Sequence, residues 1–358
     1  MLVWASSQPG CLPARATAWP PFRLMGMTSP TIRRAATSQA TGVVPPRTER
    51  AVVPSSISPF RRLVAQPLKG AIAAQVAGLF NDPSRGEQPV KRRPDGLFGP
   101  QSVAWRVHGD VTSMMVGGVA SLLMQMLHPA VLAGVWDHSN FRADMHGRLR
   151  RTARFIALTT YGGQEEAEAM IARVRGIHGH IRGVLPDGTP YEANDPALLA
   201  WVHVTETISF LDAWIRYGEP GMSSADQDRY FVEMARVARA LGADPVPRSR
   251  AEALAQIQAA RPRLRSDART REVARVLMAQ PAPSLPIEPF RQITLQAGVD
   301  LIPAWARRMH GLPGGGLGRP LVRAGALGVA RTLRWAFERN VLPTHPERAT
   351  AGGGGAGG

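Results

Sequence analysis

The sequence predicts an all-α protein built around a single helical domain. Apolar residues recur at spacings of three and four in nine successive segments, no convincing run alternates at period two, and Pro or Gly stands at the joints. In chain order the segments are 63–80, 102–127, 148–161, 164–184, 196–217, 225–241, 268–278, 287–297 and 317–341. Several starts carry caps. Asp195-Pro196 and Ser223-Ser224-Ala225-Asp226 offer side-chain oxygens to free backbone amides, with Pro or an acid in the first turn. The domain is expected over residues 58–312.

The second segment opens a run with no charged residue from Val111 to Trp136, long enough to cross a bilayer. Thr112, Ser113, Ser121, Gln125 and His128 interrupt it, and His128-Pro129 ends or kinks a helix there. Its flanks are Asp110 and Asp137, without a Lys/Arg cluster or an aromatic belt. A buried core helix is the preferred reading. Gly117-Gly118 marks a place where another helix or a flat ligand can approach the backbone.

Outside the domain, residues 1–57 form a Pro/Ser/Thr/Arg-rich arm with one acidic residue and are expected to be disordered. The short apolar start MLVWASS lacks the basic flank and long apolar run of a secretory signal, so export is not expected. Residues 313–345 form an amphipathic C-terminal helix, with Arg on one side and Leu, Val, Trp and Phe on the other. Packing on the core is preferred, and peripheral contact with a membrane is the second reading. Residues 346–358 are a Gly-rich tail.

Composition narrows the function classes. Of the 43 basic residues 41 are Arg, a bias that suggests a GC-rich coding sequence, and much of the +16 net charge sits in the ends. No aromatic-interleaved basic patch accompanies it, so nucleic acid is not expected as a partner. The single Cys11 excludes an intramolecular disulfide framework and a CxxC metal site, and a reducing, cytoplasmic location fits. GxSxG, HExxH and Walker-type loops are absent, and GLPGGGLG reads as a linker.

Three clusters remain as candidate chemistry. On a helical wheel through ARVRGIHGHIRG centred on Val174, Met170, Ile171, Ile177, His178 and Ile181 fall within about 60°, while His180 falls near −120°. His178 therefore faces the core and His180 solvent, with Arg175 and Arg182 on the flank beside His178. That pattern suits axial ligation of haem iron with guanidinium groups near the propionates. From this pattern alone, a core histidine bonded to a carbonyl is the preferred reading. The second cluster, in LLAWVHVTETISFLDAWIRYG, puts His203, Glu206, Thr207, Phe210 and Trp214 on one side of a central helix, as a satisfied network or a pocket lining. The third, WDHSNFRADMHGRLRRTARF, gathers His138, Asp144, His146, Arg148, Arg150, Arg151 and Thr152, for which a solvated face is the default.

Taken in order, VAWRVHGD, GGVASLLMQMLHPAVLAGVWDHSNF, GRLRRT, VRGIHGHIRG and LLAWVHVT resemble the MpaB-type oxygenase family, which includes bacterial rubber oxygenases (latex-clearing proteins) and a fungal enzyme that cleaves a prenyl side chain. The resemblance covers residues 102–217, with weaker agreement to about 311. It implies an all-α fold with a globin-like core, b-type haem, and use of O2 to cleave an isoprenoid double bond. It makes His178 the first choice for the proximal iron ligand and His203 the second. It also places Arg148, Arg151 and Thr152 on the distal side, matching an Arg-x-x-Lys-Thr motif. Arg151 stands where rubber oxygenases carry Lys, and a guanidinium stays protonated, so gating of the sixth iron position by this residue is not expected. His128 and His138 match family positions without an assigned role. The resulting expectation is a haem-dependent oxygenase acting with O2 on a small hydrophobic substrate, cytoplasmic with membrane association as an option; the alternative is a non-catalytic haem- or lipid-binding helical protein.

Overall fold

The computed structural model describes residues 59–82, 86–281, 287–312 and 318–337. Among these are thirteen α-helices: α1 (Pro59–Phe80), α2 (Val103–His108), α3 (Val111–Gln125), α4 (Pro129–His138), α5 (Met145–Tyr161), α6 (Gln164–His178), α7 (Pro196–Tyr217), α8 (Ser224–Leu241), α9 (Arg250–Ala260), α10 (Ala268–Met278), α11 (Glu288–Leu301), α12 (Ala304–Met309) and α13 (Gly318–Phe337). One antiparallel hairpin, β1 (Arg182–Val184) and β2 (Pro190–Glu192), is the only sheet among the described residues. The all-α class is as the sequence predicts. The expected arm and tail lie outside the described residues.

Capping chemistry fixes several boundaries, including two the periodicity misplaced. The segment read as one helix over 102–127 breaks at Gly109, because Asp110 caps α3 by accepting from the Ser113 backbone N–H at 2.8 Å. The expected helix 164–184 stops at His178, is capped by Gly179, and continues into β1. Arg182 therefore sits on a strand, and its wheel angle does not apply. His128-Pro129 starts α4, where Pro occupies a position whose N–H has no helical partner.

A tight crossing of helices forms the centre. A Cβ on Gly117 would meet Phe210 Cδ1 at 2.6 Å and the Ser209 carbonyl oxygen at 3.0 Å, so α3 and α7 touch backbone to backbone there. On another side of α3, a Cβ on Gly298 of α11 would meet Val119 Cγ1 at 2.5 Å. Most of the polar residues that interrupt α3 pair locally: Ser113 Oγ donates to Asp110 Oδ1 at 2.8 Å and Gln125 Nε2 to Ser121 Oγ at 2.7 Å, while the buried Thr112 hydroxyl has no partner. No single described helix is long and apolar enough to cross a membrane, although α3 and α4 would qualify together and meet at a bend of 105°.

The C-terminal helix packs on this centre. Ala326 of α13 is buried with Val116, Ala213, Tyr217 and Ala297. Two buried carboxylates hold three of the four arginines of α13. Arg334 Nε donates to Asp110 Oδ2 and its Nη2 to the Tyr217 carbonyl, both at 2.7 Å. Arg319 and Arg323 pair with Asp300 of α11, which also holds Arg216 of α7 at 3.0 Å.

Candidate functional site

Helices α5 and α6 form a hairpin through Gly162-Gly163, where the Gly163 N–H donates to Glu166 Oε2 at 3.0 Å. At a rise of about 1.5 Å per residue, Arg148 before the joint and His178 after it both lie roughly 20 Å away, at the same end of the pair. The start of α7 is tied to that end, since Asn194 Nδ2 donates to the Arg175 carbonyl at 3.0 Å and the Ala193 N–H to the Ile181 carbonyl at 2.9 Å. His203 follows two turns into α7. Arg148, Arg151 and Thr152 of α5 and His178 of α6 thus lie at the end of their hairpin away from Gly162-Gly163, and His203 lies near the start of α7.

His178 is the last residue of α6 and is 3% exposed. Neither of its ring nitrogens has a hydrogen-bond partner. Burial lowers its pKa to about 4, so the ring is neutral near pH 7, the form that binds a metal. A buried imidazole with both nitrogens unused forfeits its hydration without replacement. The carbonyl-bonded reading of His178 accordingly finds no carbonyl. Of the other interior histidines, His108 uses both nitrogens, meeting Thr160 Oγ1 and Tyr230 Oη at 2.7 Å each, whereas His310 uses Nε2 alone, 2.8 Å from the Leu123 carbonyl oxygen, and the Nδ1 atoms of His310 and His128 have no partner. His203 lies between, with Nδ1 3.3 Å from Thr207 Oγ1 and Nε2 without a partner. Burial lowers its pKa to about 3. His180 is exposed, as the wheel places it, with Nδ1 2.9 Å from the Gly176 carbonyl oxygen.

The third cluster does not form the uniform solvated face expected by default. Arg148 is 5% exposed, and burial, with the charge of Arg151 second, lowers its pKa to about 10. Arg150, two residues on, turns away to Asp82 at 2.8 Å. Arg151 pairs with Asp144 at 3.2 Å, and Thr152 Oγ1 donates to the Arg148 carbonyl at 3.2 Å, leaving that hydroxyl an acceptor. His146 is exposed, whereas His138 lies edge-on to Tyr191. Arg175 and Arg182 are both exposed; Arg175 Nη1 reaches the Ala240 carbonyl at 3.4 Å.

Sequence reasoning placed Glu206 among the polar residues of the central helix but passed over the buried group beyond it, His108, Thr160 and Tyr230. Glu206 of α7 is pushed toward its protonated form by burial, and its charge acts on Tyr230, whose hydroxyl meets His108. This buried chain joins α7, α8, α2 and α5. Its only sequence signal is polar residues on otherwise apolar helix faces. Among the described residues no three His, Cys, Asp or Glu side chains gather as a directly chelated metal needs. A metal held by His178 would take its remaining ligands from a cofactor.

These neutral imidazoles make stability depend on pH. The unfolded chain protonates its histidines near pH 6.5, while His178 and His128 in the folded chain wait until about pH 4, and His108 and His203 until about pH 3. Below pH 6.5 the unfolded state binds more protons, so stability is full above that value and falls as pH drops toward 4. Urea midpoints at pH 7.5, 6.0 and 5.0 should decline in that order; a midpoint flat across the series would contradict buried neutral histidines.

Comparison with known proteins places residues 105–335, well over half of the chain, on the sequence model of a family described as ER-bound oxygenase mpaB/B'/rubber oxygenase, catalytic domain. No curated protein and no solved structure matches the chain.

Proposed function

Because this chain belongs to the ER-bound oxygenase mpaB/B'/rubber oxygenase catalytic-domain family, we propose that it is a haem b-dependent oxygenase acting with O2 on a small hydrophobic, isoprenoid-type substrate. The observation that carries the haem assignment is His178, a buried neutral imidazole with two unused ring nitrogens. Bound haem supplies an iron that binds and activates oxygen. In this reading His178 holds the iron, with His203 Nε2 the second choice, and the core helices keep a globin-like arrangement around the cofactor. Arg148 presents guanidinium N–H donors from an interior position, and Thr152 presents a hydroxyl acceptor. Arg151, salt-bridged to Asp144, positions its guanidinium group there without binding metal. Arg182 and Arg175 are the cations that propionates would meet, with Arg175 giving up its long bond to Ala240. The proposed location is the cytoplasm, with any membrane contact made by the outward edge of α13, where Leu321 is 76% exposed.

The test is an absorption spectrum of the purified full chain, as isolated and after haem addition, followed by oxygen uptake on adding an isoprenoid. A Soret band with isoprenoid-dependent oxygen uptake supports the oxygenase. A Soret band with no uptake across isoprenoid chain lengths favours a non-catalytic haem protein. No Soret band after reconstitution overturns the haem reading and favours a lipid-binding protein.

A further inference from the structure

We propose that the open cavity between α9 and α12 binds an amphiphilic anion, a molecule with a carboxylate or phosphate head on an apolar body. The cavity, of about 750 Å³, is lined by Gln258, Arg261, Pro262, Trp305, Arg308 and Met309, and its size is in the range of small-molecule sites. It involves none of the residues assigned to oxygen chemistry and stands apart from that reading.

Charge carries the argument first. Each arginine around Asp300 and Asp110 is ion-paired to one of those carboxylates. At this cavity, by contrast, no carboxylate among the described residues lies in ion-pair contact with Arg261 or Arg308, nor with the adjacent Arg263 and Arg265. Arg261 bonds only the neutral Gln258, whose Oε1 accepts from its Nη1 at 3.2 Å, and lies over the Trp305 ring at 4.9 Å. Several guanidinium groups with no acid between them raise the local positive potential, which an anionic head group relieves.

The apolar part comes second. Trp305, Met309 and Pro262 supply an apolar part of the lining beside those arginines. A bare anion would leave this apolar part unused, and a neutral hydrocarbon would leave the guanidinium groups uncompensated. The walls are also set before any ligand arrives. Arg265 Nη1 donates to the Pro262 and Leu264 carbonyls at 2.6 and 2.9 Å, and the Arg265 N–H donates to the Leu127 carbonyl at 2.8 Å. Ser266 Oγ donates to the Met309 carbonyl, and the His310 ring is bonded to Leu123. Both sides of the cavity are thereby pinned to the end of α3, which lowers the ordering cost of binding.

Calorimetric titration of the full chain with decanoate, decyl phosphate, 1-decanol and inorganic phosphate tests this. Decanoate or decyl phosphate should bind one site, with 1-decanol and inorganic phosphate each weaker by about tenfold or more. Arg261→Gln with Arg308→Gln, and separately Trp305→Ala, should each weaken that binding by about tenfold or more. Arg308→Gln alone, at an exposed side chain with no ion pair, serves as the variant whose folding is least at risk and should weaken it measurably. Which of the two anions binds tighter identifies the head group. Unchanged binding in the arginine variants would place the ligand elsewhere and overturn the proposal. Inorganic phosphate binding as tightly as decyl phosphate would overturn it in favour of a bare-anion site.

Discussion

Replacing His178 by Ala is expected to abolish haem retention, or weaken it by at least about tenfold, while His180→Ala leaves it unchanged. The two residues end the same turn and differ in exposure: His178 is 3% exposed with both nitrogens unpartnered, and His180 is solvent-facing and bonded to Gly176. Fold stability separates a ligand from a packing residue. A purely structural histidine would be missed in the cofactor-free protein, because hydrogen bonds would be lost. His178 makes none, so its removal costs the cofactor-free fold only the packing of one side chain. Added imidazole should restore a Soret band to the His178→Ala protein by entering the vacated space. Retention of a wild-type band by His178→Ala together with its loss in His203→Ala would move the ligand to α7.

Asp300→Ala is expected to destabilise the protein by about 3 kcal/mol, read as a lowered urea midpoint and melting temperature. Burial pushes the Asp300 carboxyl up, but hydrogen bonds from Arg323 and Arg319 outweigh it and leave the pKa below the ordinary carboxylate range. The carboxylate holds α13 through Arg319 and Arg323 and α7 through Arg216. The buried Arg307, whose Nη1 donates to the Ile302 carbonyl at 2.6 Å and the Asp300 carbonyl at 3.4 Å, lies beside the same acid. Removing the acid strands several cations around one position, although the partly exposed Arg319 and Arg323 recover hydration, which keeps the loss toward the low end for buried pairs. Asp300→Asn should lose less, since it keeps the shape and some acceptor capacity. The exposed Arg93–Asp95 pair is the control: Asp95→Ala should leave the midpoint unmoved. Equal midpoints for the two Ala variants would remove the Asp300 cluster from the account of how α13 is held.

Parts of this molecule are legible along the chain. Helices α7 and α10 match the predicted limits to the residue, because each couples a strong apolar period to a signal at its start, Asp195-Pro196 for one and Asp267 for the other. The core position of His178 is legible for the same reason, since Ile171, Val174 and His178 share a face on any helix. Where a pattern is short or weak it misleads. The six residues of α12 are too few to show a period, and α9 buries only Ala253, Ile257 and Ala260, two of them small. The expected continuation of α6 through Arg182 failed because Ile181 is buried in either geometry, so burial alone could not tell a helix from a turn.

Local preference therefore determined, by itself, the helical class, the limits of α7, α8 and α10 and the inward face that carries His178, since backbone capping and apolar periodicity act over a few neighbouring residues. Only the tertiary structure decided which of 41 arginines reach Asp110 and Asp300, which histidines find partners, and that Arg148 is buried while Arg150 is paired with Asp82. The Arg334–Asp110 pair joins residues 224 positions apart. Such pairings follow from how whole helices cross, at Gly117 and Gly298 above all, and a polar atom's satisfaction depends on every neighbour that packing brings to it.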